Sequence, residues 1–469
     1  MALASVLTAC AVKPPVTESE LASAARVPAR WSVAGLDTTP TASWWQGFDD
    51  PLLAKLVDDA MQANTRIRTA QAALRQAIGL RDVAAAALRP VLGGSASASR
   101  GTADGESTGN RFQLGLDAGW VPDVFGARRA ALDASLAAAL ASAATLGDVQ
   151  VAIASEVGLN YIALRAAQVR LGIATRNLAS QDETLQITRW REQAGLVTAL
   201  EAEQASTAAE QTRALLPALR TSIALSGHAL ATLSGQAPAQ LDATLAPPGT
   251  VPQARGAMVL RIPADTLRQR ADVRAAEHQV SAALARVAQA DAARYPSFSL
   301  SGNLGVDAST LGSLGQRTSV LGALLAATQL PLLDGGAARA QIRAQQAALA
   351  QARLAYQGVV LTALREVEDA LAVLQGDQLR LQSLGKAAEA ATRAADLANQ
   401  RYRSGLVDFQ VVLTTQRTQL VAQDSLATVR ADIGNDHVRL FKALGGGWRD
   451  TSGTDAADRD MPPRAQALP

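Results

Sequence analysis

Two rhythms of apolar positions alternate along this chain. From Pro51 to Leu88, and again from Pro263 to Arg294, Ala, Leu and Val recur at spacings of three and four, which predicts amphipathic helices. Each run stops at Arg89-Pro90 or Tyr295-Pro296, because Pro disfavours helix in the residue before it. Pairs of short stretches rich in Gly, Ser and alternating apolar residues follow: Val91 to Ser99 and Phe112 to Val121, then Ser297 to Val306 and Ser319 to Leu330. Each is about the 9–11 residues a tilted strand needs to cross hydrocarbon. A Pro–Gly elbow ends each pair, Pro122 to Gly126 and Pro331 to Gly335. A second helix is predicted from about 127 to 193, on the order of 100 Å at ~1.5 Å per residue. A turn at Gly195 or Gly405 then returns the chain through a last helix to Gly235 or Gly445.

The order repeats because the chain is one unit written twice. Gly195-Leu196-Val197 recurs 210 residues on as Gly405-Leu406-Val407, and Glu156-Val157, Arg129 and Gly235 recur at the same offset as Glu366-Val367, Arg339 and Gly445. A constant offset over so long a span fits coiled-coil-like hairpins whose register sets every contact. The elbows answer each other at 209 and the Pro stops at 206, so the length variation falls in the strand and loop segments. The expected division is a signal remnant at 1–9, an extended segment at 10–50, repeats at 51–235 and 263–447 joined by a linker at 236–262, and a disordered tail at 448–469.

No stretch reads as a spanning helix. Thr318 to Leu333 is the best candidate, and it falls short of the roughly 18–20 apolar residues needed and contains Gly322 and Pro331. If the chain crosses a bilayer, it does so with strands. Four strands cannot close a barrel, and an open edge in lipid leaves backbone groups unpaired, so strands must be shared between subunits; three chains would give twelve. The fold class expected is mainly α with a membrane β part, the long helices continuing outside the membrane as a helical tube.

Composition narrows the classes further. The chain has 469 residues, 48% hydrophobic but only 3% aromatic, which suits long helices packed through small side chains. A formal charge of +2 gives no electrostatic reason to expect nucleic acid. One Cys excludes a disulfide framework, and His228, His278 and His437 lack ligand spacing, so neither metal nor cofactor is expected. No nucleophile–base pair or paired-acid motif points to an enzyme. Gly302, Gly305, Gly312 and Gly315 lack the Lys-Ser/Thr of a phosphate loop. Arg365-Glu366-x-Glu368-Asp369 reads as a solvated helix face with local ion pairs. The lone Cys ends Leu7-Thr8-Ala9-Cys10, the pattern of a bacterial lipoprotein signal, and predicts lipidation at Cys10. The stretch before it carries no Lys or Arg and is short for a full signal, and Ala11 favours the outer membrane.

These motifs resemble a known family. Trp44-Trp45-x-x-Phe48-x-Asp50-Pro51-Leu52 with Ala60 and Asn64, the Phe125-Gly126-x-Arg128 elbow, the Glu-Val pairs and the duplicated Gly-Leu-Val turns are similar to TolC-like outer-membrane factors of the NodT/OprM-type lipoprotein branch. The resemblance implies an outer-membrane exit duct for drugs or small molecules. It would be a homotrimer whose 12-stranded β-barrel lies in outer-membrane lipid and continues into a periplasmic α-helical barrel, and it would dock with a periplasmic adaptor and an inner-membrane RND-type pump. The exit channel of a type I protein-secretion system is the alternative within the same architecture. In such ducts helix-turn tips close the periplasmic end. Tyr402 stands where the family places its latching tyrosine and Glu201 at the acidic partner position, which makes a Tyr402–Glu201 hydrogen bond the candidate latch; the alternative is that Tyr402 packs a helix end and Glu201 is solvated. Arg403 lies in the same tip, and Asp408 would contribute to a threefold acidic ring. Thr414 replaces a common family aspartate, which puts a tight acidic constriction in doubt. Gly195, Gly405, Gly126 and Gly335 are expected at positive φ. Trp120, Tyr295 and Phe298 fall at strand ends, either as an interfacial girdle or as plain packing.

Overall fold

The computed structural model describes residues 43–101, 109–254, 269–313, 320–446 and 448. Cys10 with its signal, residues 255–268 of the linker and second repeat, and the tail beyond Trp448 lie outside the described residues. The chain divides into two compact units, one built around Ala72–Ala144 and Arg274–Val359, the other around Thr145–Val273 and Val360–Pro469 together with residues up to Gln71.

The first unit holds a four-stranded antiparallel sheet: β1 (Val91–Gly101), β2 (Gly109–Trp120), β3 (Ser297–Ala308) and β4 (Val320–Gln329), in that order. Gly115 pairs with Ser95 on one side and Gly305 on the other, so small residues line up across the middle. A Cβ on Gly115 would come within 2.9 Å of Ser95 Oγ, and one on Gly305 within 3.0 Å of the Leu114 carbonyl, so the strands approach closely only because these residues are glycine.

Each strand pair ends in an elbow with the same device. Gly126 takes φ 81°, and Gly335 and Gly336 take 62° and 89°, a region that L side chains avoid. The carboxylate just before accepts from the first turn of the following helix: Asp123 from the Arg128 and Arg129 amides, Asp334 from those of Gly336 and Ala338. Those amide bonds hold the Asp334 carboxyl below its ordinary range. Nearby, Trp120 Nε1 donates to the Leu88 carbonyl at 3.1 Å and Arg128 donates to that of Ala87, so side chains satisfy carbonyls left open where the first helical run stops. Phe125 stacks on Tyr295 at 4.9 Å and lies 6.4 Å from Phe298.

The second unit carries the hairpins and the larger core. The helix expected over 51–88 is two helices, α1 (Pro51–Ala63) and α2 (Thr65–Ala86). The break is at Asn64, whose Oδ1 accepts from the Arg66 and Ile67 amides and so caps α2, while Nδ2 donates to the Leu233 carbonyl. Asp50 caps α1 through the Leu52 and Leu53 amides, with Pro51 at the first helical position. The long helices match across the repeats. α3 (Ala127–Gln193) and α7 (Ala337–Arg403) each have 67 residues, and α4 (Ala199–Leu233) and α8 (Phe409–Ala443) each have 35. Between the repeats lie α5 (Asp242–Leu245) and α6 (Ala271–Ala292).

Contrary to expectation, α3 contains one window apolar enough, by length and composition, to cross a membrane. It arises because α3 is rich in Ala, Val, Ile and Leu, and only 39% of that window is buried; Ile153, Ala154, Val157 and Ile162 of the same helix are buried in the core. That core also takes Trp44, Phe48, Leu53, Leu56, Ile67 and Leu230, with Trp44 stacked on Phe441 at 5.5 Å. A Cβ at Gly158 would meet Trp44 at 3.0 Å, so α3 admits the indole through a glycine.

Candidate functional site

The sheet has two chemically different faces. Direct cross-strand partners share a face, so the registers sort the residues. One face carries Leu92, Phe112, Leu114, Leu116, Trp120, Phe298, Leu300 and Leu304, and its leucines are exposed. The other carries Ser95, Ser97, Ser99, Arg111, Gln113, Asp117, Ser301, Asn303 and Asp307. Polar partners link there across the strands: Arg111 to Asp307 at 2.8 Å, Ser95 to Asp117 at 3.1 Å and Ser97 to Gln113 at 3.2 Å. β4 departs from the alternation, since Leu321 and Leu325 sit on the polar face and Leu324 on the apolar one. Apolar-out, polar-in alternation over ten to twelve residues is the pattern of strands set between hydrocarbon and a water-filled lumen.

In the second unit the two hairpin turns are copies. Gly195 and Gly405 both have φ 71°, and the Leu196 and Leu406 amides reach back to the carbonyls of Arg191 and Arg401, closing each helix in a Schellman-type turn. Leu196 and Leu406 are 73% and 74% exposed, an unusual placement for leucine, whereas Val197 and Val407 are half-buried.

The expected Tyr402–Glu201 bond is not formed within the chain. Tyr402 is buried among Leu185, Ala209, Phe409 and Val412, and its hydroxyl lies 3.2 Å from Thr188 Oγ1 of α3. Arg191 of α3 stacks over the Tyr402 ring at 4.2 Å and donates to its carbonyl at 2.8 Å. Glu201 serves its own helix: its carboxylate accepts from the Thr198 amide at 2.8 Å, and the Thr198 side chain caps α4 in return. The first hairpin therefore grips Tyr402 through Thr188 and Arg191. Arg403 pairs with Glu183 of α3. Asp408 stands at the start of α8 with no side-chain capping bond, and Thr414 is exposed on α8.

Behind the tips runs a polar ladder that the sequence reading missed. Asn177 and Thr184 on α3, Thr392 and Asn399 on α7, and Gln416 and Gln423 on α8 are each seven residues apart. Gln416 Nε2 donates to Thr184 at 2.9 Å and to Asn399 at 3.3 Å; Asn177 donates to Gln423 at 2.9 Å, and Gln423 to Thr392 at 3.1 Å. The detectable signal was a heptad of polar residues within Ala-rich helices, the device by which buried amides set register.

The Glu-Val pairs are ion-pair anchors. Glu156 binds Arg66 at 2.8 Å and Glu366 binds Arg270 at 2.8 Å, with Val157 and Val367 buried beside them. Glu366 is thus not the solvated charge expected, although Arg365 and Asp369 of the same run do form a local pair at 3.5 Å.

A duplicated strand-pair and helical-hairpin unit with a two-faced sheet defines a class, the helical outer-membrane channels. The family model described as outer membrane efflux protein matches residues 56–236 and 262–446, and the chain belongs to that family. It is 30% identical to nodulation protein T of Rhizobium leguminosarum bv. viciae over 409 residues, 87% of this chain and 84% of that one. It is 30% identical to the pyoverdine export outer membrane protein OpmQ of Pseudomonas aeruginosa over 463 residues, 95% of each. Among solved structures it is similar to the outer-membrane channel OprN, with TM-score 0.84, 34% identity, and coverage of 90% of this chain and 97% of that one. The protein is an outer-membrane channel, the exit duct of an efflux system, and not an enzyme.

Proposed function

We propose that three copies of the chain share one twelve-stranded barrel, with the apolar face of each sheet toward lipid and the Arg111–Asp307 face toward the lumen. The observation that carries this is the pair of edge strands, β1 and β4, left without a second partner strand among the described residues on a four-stranded sheet whose apolar face is exposed. Edges in hydrocarbon strand unpaired backbone groups, and joining β4 of one copy to β1 of the next removes all of them. Cys10 carries the lipid anchor. The duct exports drugs or small molecules passively, receiving them from an inner-membrane RND-type pump through a periplasmic adaptor.

The tips are the periplasmic gate and the adaptor's landing point. The exposed Leu196 and Leu406 give the turns an apolar surface for docking. The Tyr402–Thr188–Arg191 contact holds the second hairpin to the first, and Arg403–Glu183 adds a charge pair. Asp408, repeated three times, biases the mouth toward cations. With Thr414 uncharged, that ring is the weaker for it. Reconstitution of the purified protein in a planar bilayer, with a native mass measurement, tests the assembly: stepwise conductance from a trimer is expected. A monomer without conductance would overturn it.

A further inference from the structure

The second repeat contains a carboxylate group that the first lacks. Asp377 of α7 and Asp432 and Asp436 of α8 lie in the seam where Val367, Leu371 and Leu374 pack against Ile433 and Leu440. Their counterparts 210 residues earlier are Ala167, Ser222 and Ser226, so nothing in the shared hairpin architecture calls for acids here. Asp436 is 1% exposed. Its Oδ1 accepts from Arg439 at 3.2 Å, but its buried Oδ2 has no hydrogen-bond partner among the described residues.

A buried carboxylate oxygen without a donor is costly when charged. No residue of another protein can reach an atom that is enclosed by its own chain, so what satisfies it must be small. Asp377 adds like charge from α7, Asp432 adds more from α8, and Arg439 and Arg380 oppose them only in part, since both guanidinium groups lie largely in solvent. His437, on the same turn, contributes no fixed charge near neutrality, because burial holds it below its ordinary range.

We propose that Asp436 takes up a proton as the medium acidifies, and that this proton tightens the α7–α8 seam of the second repeat alone. Burial first, then the charge of Asp377, pushes the Asp436 carboxyl up to about 6. The sign follows: the folded state binds the proton more tightly than the unfolded chain, so the seam is firmest in acid and loosens as pH rises through 6. The proposal does not depend on trimerisation or on transport.

Hydrogen exchange on the full-length protein in detergent, corrected for the intrinsic pH dependence of exchange, tests it. Between pH 5 and 7, amides of 371–381 and 430–440 should lose protection about tenfold, while the matching segments 161–171 and 220–230 should not. Asp436→Asn, which keeps the shape without the titration, should abolish the response. Asp377→Asn should move its midpoint to lower pH, because one raising charge is gone, and this variant decides the matter if Asp436→Asn does not fold. A response that persists unchanged in Asp436→Asn, a midpoint unmoved in Asp377→Asn, or an equal response in the first repeat would overturn the proposal.

Discussion

Thr188 and Tyr402 place their hydroxyls 3.2 Å apart inside an apolar cluster, which makes them the one direct side-chain hydroxyl pair described between the tip of α7 and α3. Both groups are buried, so the bond is shielded from water and from salt. Tyr402→Phe and Thr188→Val should each raise bilayer conductance by loosening the second hairpin, and the double variant should add little to either. Glu201→Gln, which touches only the cap of α4, should leave conductance near the parent level; a rise equal to that of Tyr402→Phe would restore Glu201 as the latch.

Arg270 and Arg66 occupy matching anchors with different burial. The Arg270 side chain is 8% exposed and donates to Glu366, Asp272 and the Ala443 carbonyl, whereas Arg66 is 56% exposed and holds Glu156 alone. Arg270→Ala should cost on the order of 3 kcal/mol of unfolding free energy, since it leaves acceptors unpaired in a buried site. Arg66→Ala should cost less than about 1 kcal/mol. Denaturant unfolding in detergent separates the two, and equal losses would refute the burial argument.

The four positive-φ glycines that end the long helices should not be equivalent. A Cβ at Gly235 would lie 2.7 Å from the Ala63 carbonyl oxygen and one at Gly445 3.0 Å from that of Gln269, while Gly195 and Gly405 face open space. Alanine at Gly195 or Gly405 carries only the left-handed backbone penalty of about 1 kcal/mol. Alanine at Gly235 or Gly445 should cost a further ~1–3 kcal/mol from the clash, read as a larger drop in melting temperature.

On the polar sheet face, Arg111 neutralises Asp307. Arg111→Gln should leave Asp307 as an unpaired carboxylate in the lumen and shift the reversal potential toward cation preference. A potential unchanged within error would mean that this face does not border the ion path.

Much of the architecture was legible because its signals are local. Prolines at 90 and 296, glycines at 195 and 405 and the alternation within each strand bear directly on backbone and burial, and the 210-residue offset carries one repeat onto the other. The break at Asn64 escaped because Asn at the end of one run and the start of the next reads as a polar position in a single helix, although an Asn before a helical run is itself a capping signal. The expected Tyr402–Glu201 bond is absent from the chain for a similar reason. Thr198-x-x-Glu201 is a capping box that commits Glu201 to its own helix, and a family position offers no such local constraint. Arg191 and Thr188 were out of reach because their use depends on which face of α3 meets the second hairpin, a tertiary fact. The Asp436 oxygen was hidden likewise, since an Asp on an Ala-rich helix reads as solvated until burial is known.

Asn64 and Arg66 divide between them what Arg270 does alone: Asn64 holds the end of α4 through the Leu233 carbonyl and Arg66 holds Glu156, whereas Arg270 holds both the end of α8 through the Ala443 carbonyl and Glu366. The duplicated halves are therefore unequal in tolerance to damage. Loss of Asn64 or of Arg66 leaves the other fastening of the first repeat in place, whereas loss of Arg270 removes both of these fastenings from the second.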